Sequence, residues 1–365
     1  MNKQRRSPIR WLLVLLVVVL LSGGAVWVAR GIVNRNSNAL RTVYATPAYA
    51  NQPLAILGEG ILYYDNQSLH ALDSRGRQIW NYAAGTNAGF SVDTGGVSVW
   101  SGSTLSILSR TDGKTLFSGN VEEPVLAAHA GTIYYAVQTG TEHNSSMLIL
   151  DASGRRVDNI LLKNQTVLDF GFFNNDARLW VMSLNTEGTV PMCSISTYRP
   201  GKTQVGAISD SQQVLYEVVF QSSKIRAVGT THIKDYNYSD GKELTDNRLL
   251  VYGWYLMAID DSAANPMMVF VPTEQSDGAT AISDLRMIRG QIDQPLHLPY
   301  PAMQVLALSD TVYAYTNQYV MVAGLGKTTP DTYVLPIYVE NVLGITSNKT
   351  AVVASGGTVS LIPMP

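Results

Sequence analysis

From residue 42 to the C-terminus the chain is written in short β-rich apolar runs separated by clusters of Gly, Asp, Asn and Ser. No stretch there carries the apolar period of an amphipathic helix, so the pattern predicts an all-β domain. Gly60 to Trp80, GILYYDNQSLHALDSRGRQIW, sets the theme. Ile61 to Tyr64 reads as one strand and Leu69 to Leu72 as a second. Ser74-Arg75-Gly76-Arg77 is a tight turn, and Gln78 to Tyr82 is a third strand.

The turn of that stretch returns along the chain. Gly followed by Lys or Arg occurs at Gly76, Gly113, Gly154, Gly201, Gly241 and Gly326, and Asp277-Gly278 falls in the one wide gap. Successive positions are 37, 41, 47, 40, 37 and 48 residues apart. A period of about 40 residues is that of a four-stranded propeller blade. Each glycine supplies the positive φ that a hairpin turn needs. Apolar or aromatic pairs stand upstream of the turns, among them Tyr63-Tyr64, Val99-Trp100, Tyr134-Tyr135 and Leu179-Trp180. An ordinary β-sandwich rich in hairpins is the alternative, and it offers no reason for a fixed period.

An inner strand should open each repeat. The candidates are Pro53–Leu57, Gly89–Asp93, Pro124–Ala128, Val167–Phe172, Val214–Phe220, Leu249–Tyr255, Gln304–Leu308 and Val342–Thr346. The expected fold is therefore a β-propeller of about eight four-stranded blades, with seven as the alternative. The last repeat lacks an outermost strand, while Thr42 to Ala45 is a spare strand before the first. Pairing the two would close the ring and remove two exposed edges.

Insertions are read from the irregular intervals. Thr141 to Ser146 and Asn185 to Pro191 lengthen hairpins in the third and fourth repeats. The largest, Asp284 to Met303, carries Pro295, Pro299 and Pro301, which cannot run in a central strand. Its Leu296, Leu298 and Tyr300 are too apolar for a solvated loop. They are expected either to cap one end of the ring or to form a partner-binding loop.

The N-terminus changes the picture. Residues 1–10 hold Lys3, Arg5, Arg6 and Arg10 and no acid, and Trp11 to Ala29 is uncharged for 19 residues. That is long enough to span a membrane as a helix, and the preceding positive charges place the N-terminus in the cytoplasm. The rival is a signal peptide cleaved after Ala48-Tyr49-Ala50, although that site lies far beyond the apolar run. The expected layout is a cytoplasmic tail (1–10), a transmembrane helix (11–29), a linker (30–41) and an extracytoplasmic propeller (42–365). This makes the chain a single-pass protein of the cell membrane.

Composition sets limits on partners. All 28 acidic residues lie at or beyond Glu59, against 19 of the 26 basic ones beyond Arg41, so the outer domain carries a net charge of about −9. An acidic surface repels phosphate, which argues against nucleic acid. Cys193, the one cysteine among 365 residues, excludes an intrachain disulfide and any multi-cysteine metal site.

Ala71-Leu72-Asp73, Gly76 and Trp80 resemble the blade signature of the quinoprotein-like propeller superfamily. That superfamily includes both quinone-dependent dehydrogenases and the outer-membrane assembly propeller lipoproteins. The repeat covers most of residues 45–363, but only the first unit matches it well. The second has Ser109 and Phe117 in place of the Asp and Trp. The dehydrogenases share a vicinal cysteine pair, which a single cysteine rules out. The overall layout is similar to single-pass membrane-anchored propeller proteins of Gram-positive bacteria. This resemblance implies a fold and a topology but no activity.

Local chemistry is sparse. His70, His129, His143, His232 and His297 are scattered over different repeats with none at ligand spacing, so a zinc site is not expected. There is no nucleophile elbow or phosphate loop. Turn chemistry accounts for Asn174-Asn175-Asp176 and Asp260-Asp261, which lack the spacing of a calcium loop. Neither a cofactor nor a catalytic residue can be assigned. Two readings remain: a non-catalytic binding or scaffold module for a protein, peptide or glycan, or an enzyme whose residues converge from several blades on the channel.

The topology is testable. Protease added to intact cells should destroy the propeller and leave a fragment of about the first 30 residues. A mature N-terminus near Asn51 would overturn the retained anchor.

Overall fold

The structure, a computed structural model, describes residues 38–365 apart from 142–143, 203, 222–223, 239, 261–264 and 274–280. The expected tail and transmembrane helix, and most of the linker, lie outside these residues. Eight four-stranded antiparallel sheets form the eight blades of a propeller. In blade one Leu54–Leu57 is innermost, followed outward by Gly60–Tyr64, Ser68–Leu72 and Gln78–Ala83. Blades two to seven repeat that order.

The same burial logic runs through each blade. Gly60–Tyr64 is buried throughout, because both faces of a middle strand meet neighbouring blades. The outermost strand Gln78–Ala83 alternates, with Trp80 buried and Ile79 and Asn81 exposed. Eight apolar clusters fill the gaps, one between each pair of consecutive blades. The cluster of Ile61, Tyr63, Val352 and Leu361 joins the first blade to the last.

Closure occurs as expected, but the strand spans Tyr44–Tyr49 rather than Thr42 to Ala45. It pairs with Thr358–Pro363 through Tyr44 opposite Leu361, Ala45 opposite Ser360 and Tyr49 opposite Thr358. Just before it, Leu40 donates its N–H to Val334 O at 3.0 Å and Val334 donates back to Asn38 O at 2.9 Å. The end of the expected linker is thereby laid along the outer edge of blade seven, covering backbone that would otherwise be free to pair.

All six recurring glycines lie in turns between third and fourth strands, and all have positive φ. Two of them show a second reason for glycine. A Cβ on Gly113 would lie 2.7 Å from the Trp80 ring, and one on Gly154 only 1.9 Å from Phe117. Trp80 and Phe117 stand on the outer strands of the preceding blades, so each turn is a seat for its neighbour's aromatic ring. Trp80 also donates its Nε1–H to Arg110 O at 3.1 Å. The positions where the blade signature decays therefore still mark a blade-to-blade contact.

Two expectations are corrected. Leu249–Tyr255 is not one inner strand: Leu249–Leu250 is the outer strand of blade five, Gly253 turns the chain at φ 83°, and Trp254–Ile259 is the inner strand of blade six. The apolar run continues across the turn, which hides the break. Asp284–Met303 is not an inserted loop. It falls within the third and fourth strands of blade six, Ile282–Arg289 and Ile292–Ala302, joined at Gly290 with φ 62°. The turn of this blade is thus at Gly290, whereas Gly278 lies outside the described residues. Pro295 sits on the outermost strand, and Pro299 and Pro301 lie where its ladder is interrupted between His297 and Ala302. Both positions spare the missing N–H.

Blade five is held differently from the others. Arg226, 1% exposed, makes a two-pronged contact with buried Asp235 at 2.7 and 2.9 Å and donates a third hydrogen bond to Gly290 O of blade six at 3.0 Å. Lys234 reaches back to Asp210 of blade four at 2.7 Å. Burial raises the pKa of the Asp235 carboxyl, but hydrogen bonds from Arg226 and Lys224 outweigh it and leave the value below the ordinary one. Breaking such a buried pair is strongly destabilising, because the partner charge is left without compensation.

Ring closure generates a stability prediction. Deleting residues 38–50 should strip Thr358–Pro363 of its partner and open the cluster around Ile61 and Leu361, lowering the melting temperature and promoting aggregation. Unchanged melting would show that the ring holds without this strand.

Candidate functional site

A cavity of about 800 Å³ opens at one mouth of the central channel. Among the described residues its walls are the ends of the inner strands of blades two to six, the turn at Asn174 to Asp176, Trp180 of the next strand and Tyr238 of blade five. The lining is of two kinds. Asp93, His129, Asp169, Asp176 and Glu217 supply charge, and Phe173, Trp180, Phe220 and Tyr238 supply aromatic surface.

Local backbone geometry aims the acids. Two inner strands, Thr166–Phe173 of blade four and Leu215–Phe220 of blade five, carry a bulge, between Val167 and Asp169 and between Leu215 and Glu217. The extra residue kinks the strand and re-aims the side chains beyond it. Each acid then accepts the N–H of the next residue, Asp169 from Phe170 at 2.8 Å and Glu217 from Val218 at 2.9 Å. Asn174, Asn175 and Asp176 all have positive φ, as in a left-handed turn, which Asn and Asp tolerate better than other side chains. Asp176 uses that turn to accept three hydrogen bonds, from Thr94 Oγ1 and from the N–H and Oγ1 of Thr132. It thereby ties blades two, three and four at the rim.

His129, on the inner strand of blade three, donates its Nδ1–H to Asp93 of blade two at 2.6 Å. Its ring stands edge-on to Phe170, 4.7 Å between centroids. Burial works against the imidazolium, but the hydrogen bond and charge of Asp93, helped by Asp169, prevail and hold the His129 pKa above its ordinary value. Asp169 moves in the same direction for a different reason. Its side chain is exposed, yet the protein around it removes part of its water and raises its pKa, and the charge of Asp93 adds to this against the opposing Phe170 N–H and His129. Further along the two inner strands that carry Asp169 and Glu217, Phe173 stacks on Phe220 at 4.1 Å and meets Tyr238 edge-on at 5.8 Å. Among the described residues, no three His, Cys, Asp or Glu side chains converge closely enough to hold a metal ion.

The residues singled out in the sequence lie elsewhere. Leu296 and Leu298 are both 2% exposed and pack in the cluster between blades six and seven. Tyr300 is exposed on the outer strand and stacks on Tyr319 at 5.2 Å. The trio is split between core and periphery, and the structure brings none of it to the channel mouth. Cys193 is buried, as its alternating strand context implies, and burial pushes its thiol pKa up. His70, His232 and His297 are not among the residues lining the mouth, and His143 lies outside the described residues. The mouth does leave one trace in the sequence, which a search for local motifs passes over. Asp93, His129, Asp169 and Glu217 succeed one another at 36, 40 and 48 residues, close to the blade period.

Fold and channel together define an eight-bladed β-propeller. The structure is similar to BamB from Moraxella catarrhalis, at 10% identity and a TM-score of 0.55, covering 88% of this chain and 100% of that one. It is also similar to the C-terminal WD40 domain of Sif2, at 10% identity and a TM-score of 0.61 over 89% and 99%. Sqt1 from Saccharomyces cerevisiae matches at 12% identity and a TM-score of 0.56 over 89% and 98%. No protein-family model matches the chain, and neither does any curated protein. At such identities the likeness is one of fold.

The His129 pKa yields a signed prediction. A histidine whose folded pKa is raised stabilises the fold fully below its unfolded value of about 6.5, and that contribution fades as pH rises through the folded pKa. The stability difference between the native chain and His129→Gln should therefore be larger at pH 5.5 than at pH 8.5 in urea unfolding. A difference that grows with pH would contradict the Asp93 pairing.

Proposed function

We propose that this protein is a membrane-anchored, extracytoplasmic propeller that acts as a binding scaffold and takes a segment of a partner protein at the channel mouth. The single observation that carries this reading is the mouth itself. It is wide and concave, assembled from five blades, and lined by aromatic faces and charged groups that the ring holds in place. Preorganised concavities of this kind bind without folding first, which limits the entropy lost on association.

Anchoring is supported by the uncharged run from Trp11 to Ala29 and the basic residues before it. Since Asn38 is already fixed to blade seven, residues 30–37 are what remains between anchor and ring, a reach of at most roughly 29 Å. The ring is then tethered close to the bilayer by one flank, and both channel mouths stay open to partners in the extracytoplasmic space. The second reading, a composite active site, draws on one observation, the His129–Asp93 pair beside Asp169.

Photo-cross-linking in the native host separates the two readings. A photoreactive phenylalanine derivative in place of Tyr238, at the mouth, should capture a discrete polypeptide, and the same derivative in place of exposed Tyr49, on the closing strand, should not. No polypeptide captured from Tyr238 would overturn the scaffold reading and leave the composite active site to be pursued.

A further inference from the structure

We infer that one end of blade seven, beside Asn38, lies on the lipid bilayer, with Tyr300, Tyr319, Val334 and Tyr338 at the level of the headgroups. This deepens the membrane-anchored reading and rests on it.

The first observation is where exposed apolar side chains gather. Tyr300 is 47% exposed, Val334 40% and Tyr338 57%. Single exposed residues of this kind are ordinary, whereas a contiguous group marks an interaction surface. Contacts join these three into one group. Tyr300 stacks on Tyr319 with the ring centroids 5.2 Å apart and the planes 11° from parallel. Tyr319 stands opposite Val334 in the ladder of blade seven. Tyr338 precedes Val339, which is fastened to the turn before Tyr319 by two hydrogen bonds. Its N–H donates to Asn317 O at 2.9 Å, and its O accepts from Asn317 Nδ2 at 2.8 Å.

The second observation is position. Val334 is the residue to which Asn38 and Leu40 are hydrogen-bonded, so the patch begins where the chain from the anchor reaches the ring. Residues 30–37 extend at most roughly 29 Å, so this flank is held near the bilayer and meets it at a high effective concentration.

The third observation is chemistry. Tyrosine favours the membrane–water interface, where its ring meets the acyl chains and its hydroxyl stays among the headgroups. Residues 30–41 add Arg30, Arg35 and Arg41 and no acid, a charge that suits anionic phospholipid.

Contact at this patch sets an orientation. Successive strands of a blade alternate in direction, so Tyr300, just before the inner strand Gln304–Leu308, and Tyr338, just before Asn341–Ile345, lie at the end of the ring where inner strands begin. Tyr49, also exposed, finishes the closing strand at the same end. The cavity with His129 and Asp169 opens at the other end, where inner strands finish. A ring leaning on the tyrosine rim turns that mouth away from the bilayer and toward partners.

The test uses the full chain in nanodiscs of phosphatidylcholine and phosphatidylglycerol, with a fluorophore on Gln318→Cys. Gln318 is exposed in the turn amid the patch, and Cys193 is buried and does not compete for the label. A nitroxide on the lipid headgroup should quench this label at least about twofold more than the same label on Leu161→Cys, exposed on the outermost strand of blade three across the ring. The double variant Tyr300→Ser, Tyr338→Ser should bring quenching at Gln318 down to the Leu161 level. Both tyrosines are exposed, so its melting temperature should not change. Equal quenching at the two label sites, or quenching at Gln318 that the double variant leaves intact, would overturn the inference while the anchor stands. Energy transfer between Gln318 labels of two chains in one disc, without lipid quenching, would overturn it by naming a second copy as the occupant. A chain that does not co-elute with the discs removes the anchored reading and the inference with it.

Discussion

The pairing of Tyr44–Tyr49 with Thr358–Pro363 turns a row of blades into a ring, and the rest of the molecule depends on that closure. Each blade buries its middle strands only because another blade stands on either side. An open row would leave two apolar faces in water, one at each end. Closure brings the first face, with Ile61 and Tyr63, onto the last, with Val352 and Leu361. The eighth interface is then equivalent to the other seven, and the hydrophobic stabilisation gained at each is shared around the ring. The docking of Asn38 to Leu40 on blade seven extends the same tie by a few residues.

Interfaces between blades also need registration, and two devices supply it. On the outer side a turn glycine of one blade receives a ring from the blade before it, Trp80 on Gly113 and Phe117 on Gly154. These contacts tolerate no added carbon atom, so they fix height and spacing together. Around blade five, charge does the same work. Arg226 bridges Asp235 and the turn at Gly290, while Lys234 reaches Asp210. Buried pairs of this kind add little net stability over an apolar core, but they penalise any misplacement severely.

Rigidity of the ring is what gives the channel mouth its chemistry. Asp93, His129, Asp169 and Glu217 belong to four blades, and no local fold could bring them to one cavity. Held there by the blade interfaces, His129 and Asp169 both have raised pKa values. Phe173, Phe220 and Tyr238 add aromatic surface from blades four and five, the first two on the same inner strands as Asp169 and Glu217.

How much of this was legible in the sequence depended on the range of the interactions involved. Hairpin turns are local, so the positive-φ glycines announced the blade period, and the incomplete last repeat announced a closing strand, expected at Thr42 to Ala45 and found at Tyr44–Tyr49. Burial tracks local alternation as well, and Cys193, in the alternating strand Met192–Tyr198, is buried. Where local signals agreed with two structures, tertiary contacts decided. The apolar run Leu249–Tyr255 concealed a turn at Gly253. The prolines of Asp284–Met303 suggested a loop, yet an outermost strand accommodates them because its outward N–H groups have no partner to lose. Leu296 and Leu298 looked available until blade seven covered them. The mouth lay furthest from view, since its acids and His129 are separated by about a blade each and meet only when the ring curves them inward. A pairwise distance of some 40 residues carries no chemistry in a linear reading, and curvature of the closed ring is what converts it into one.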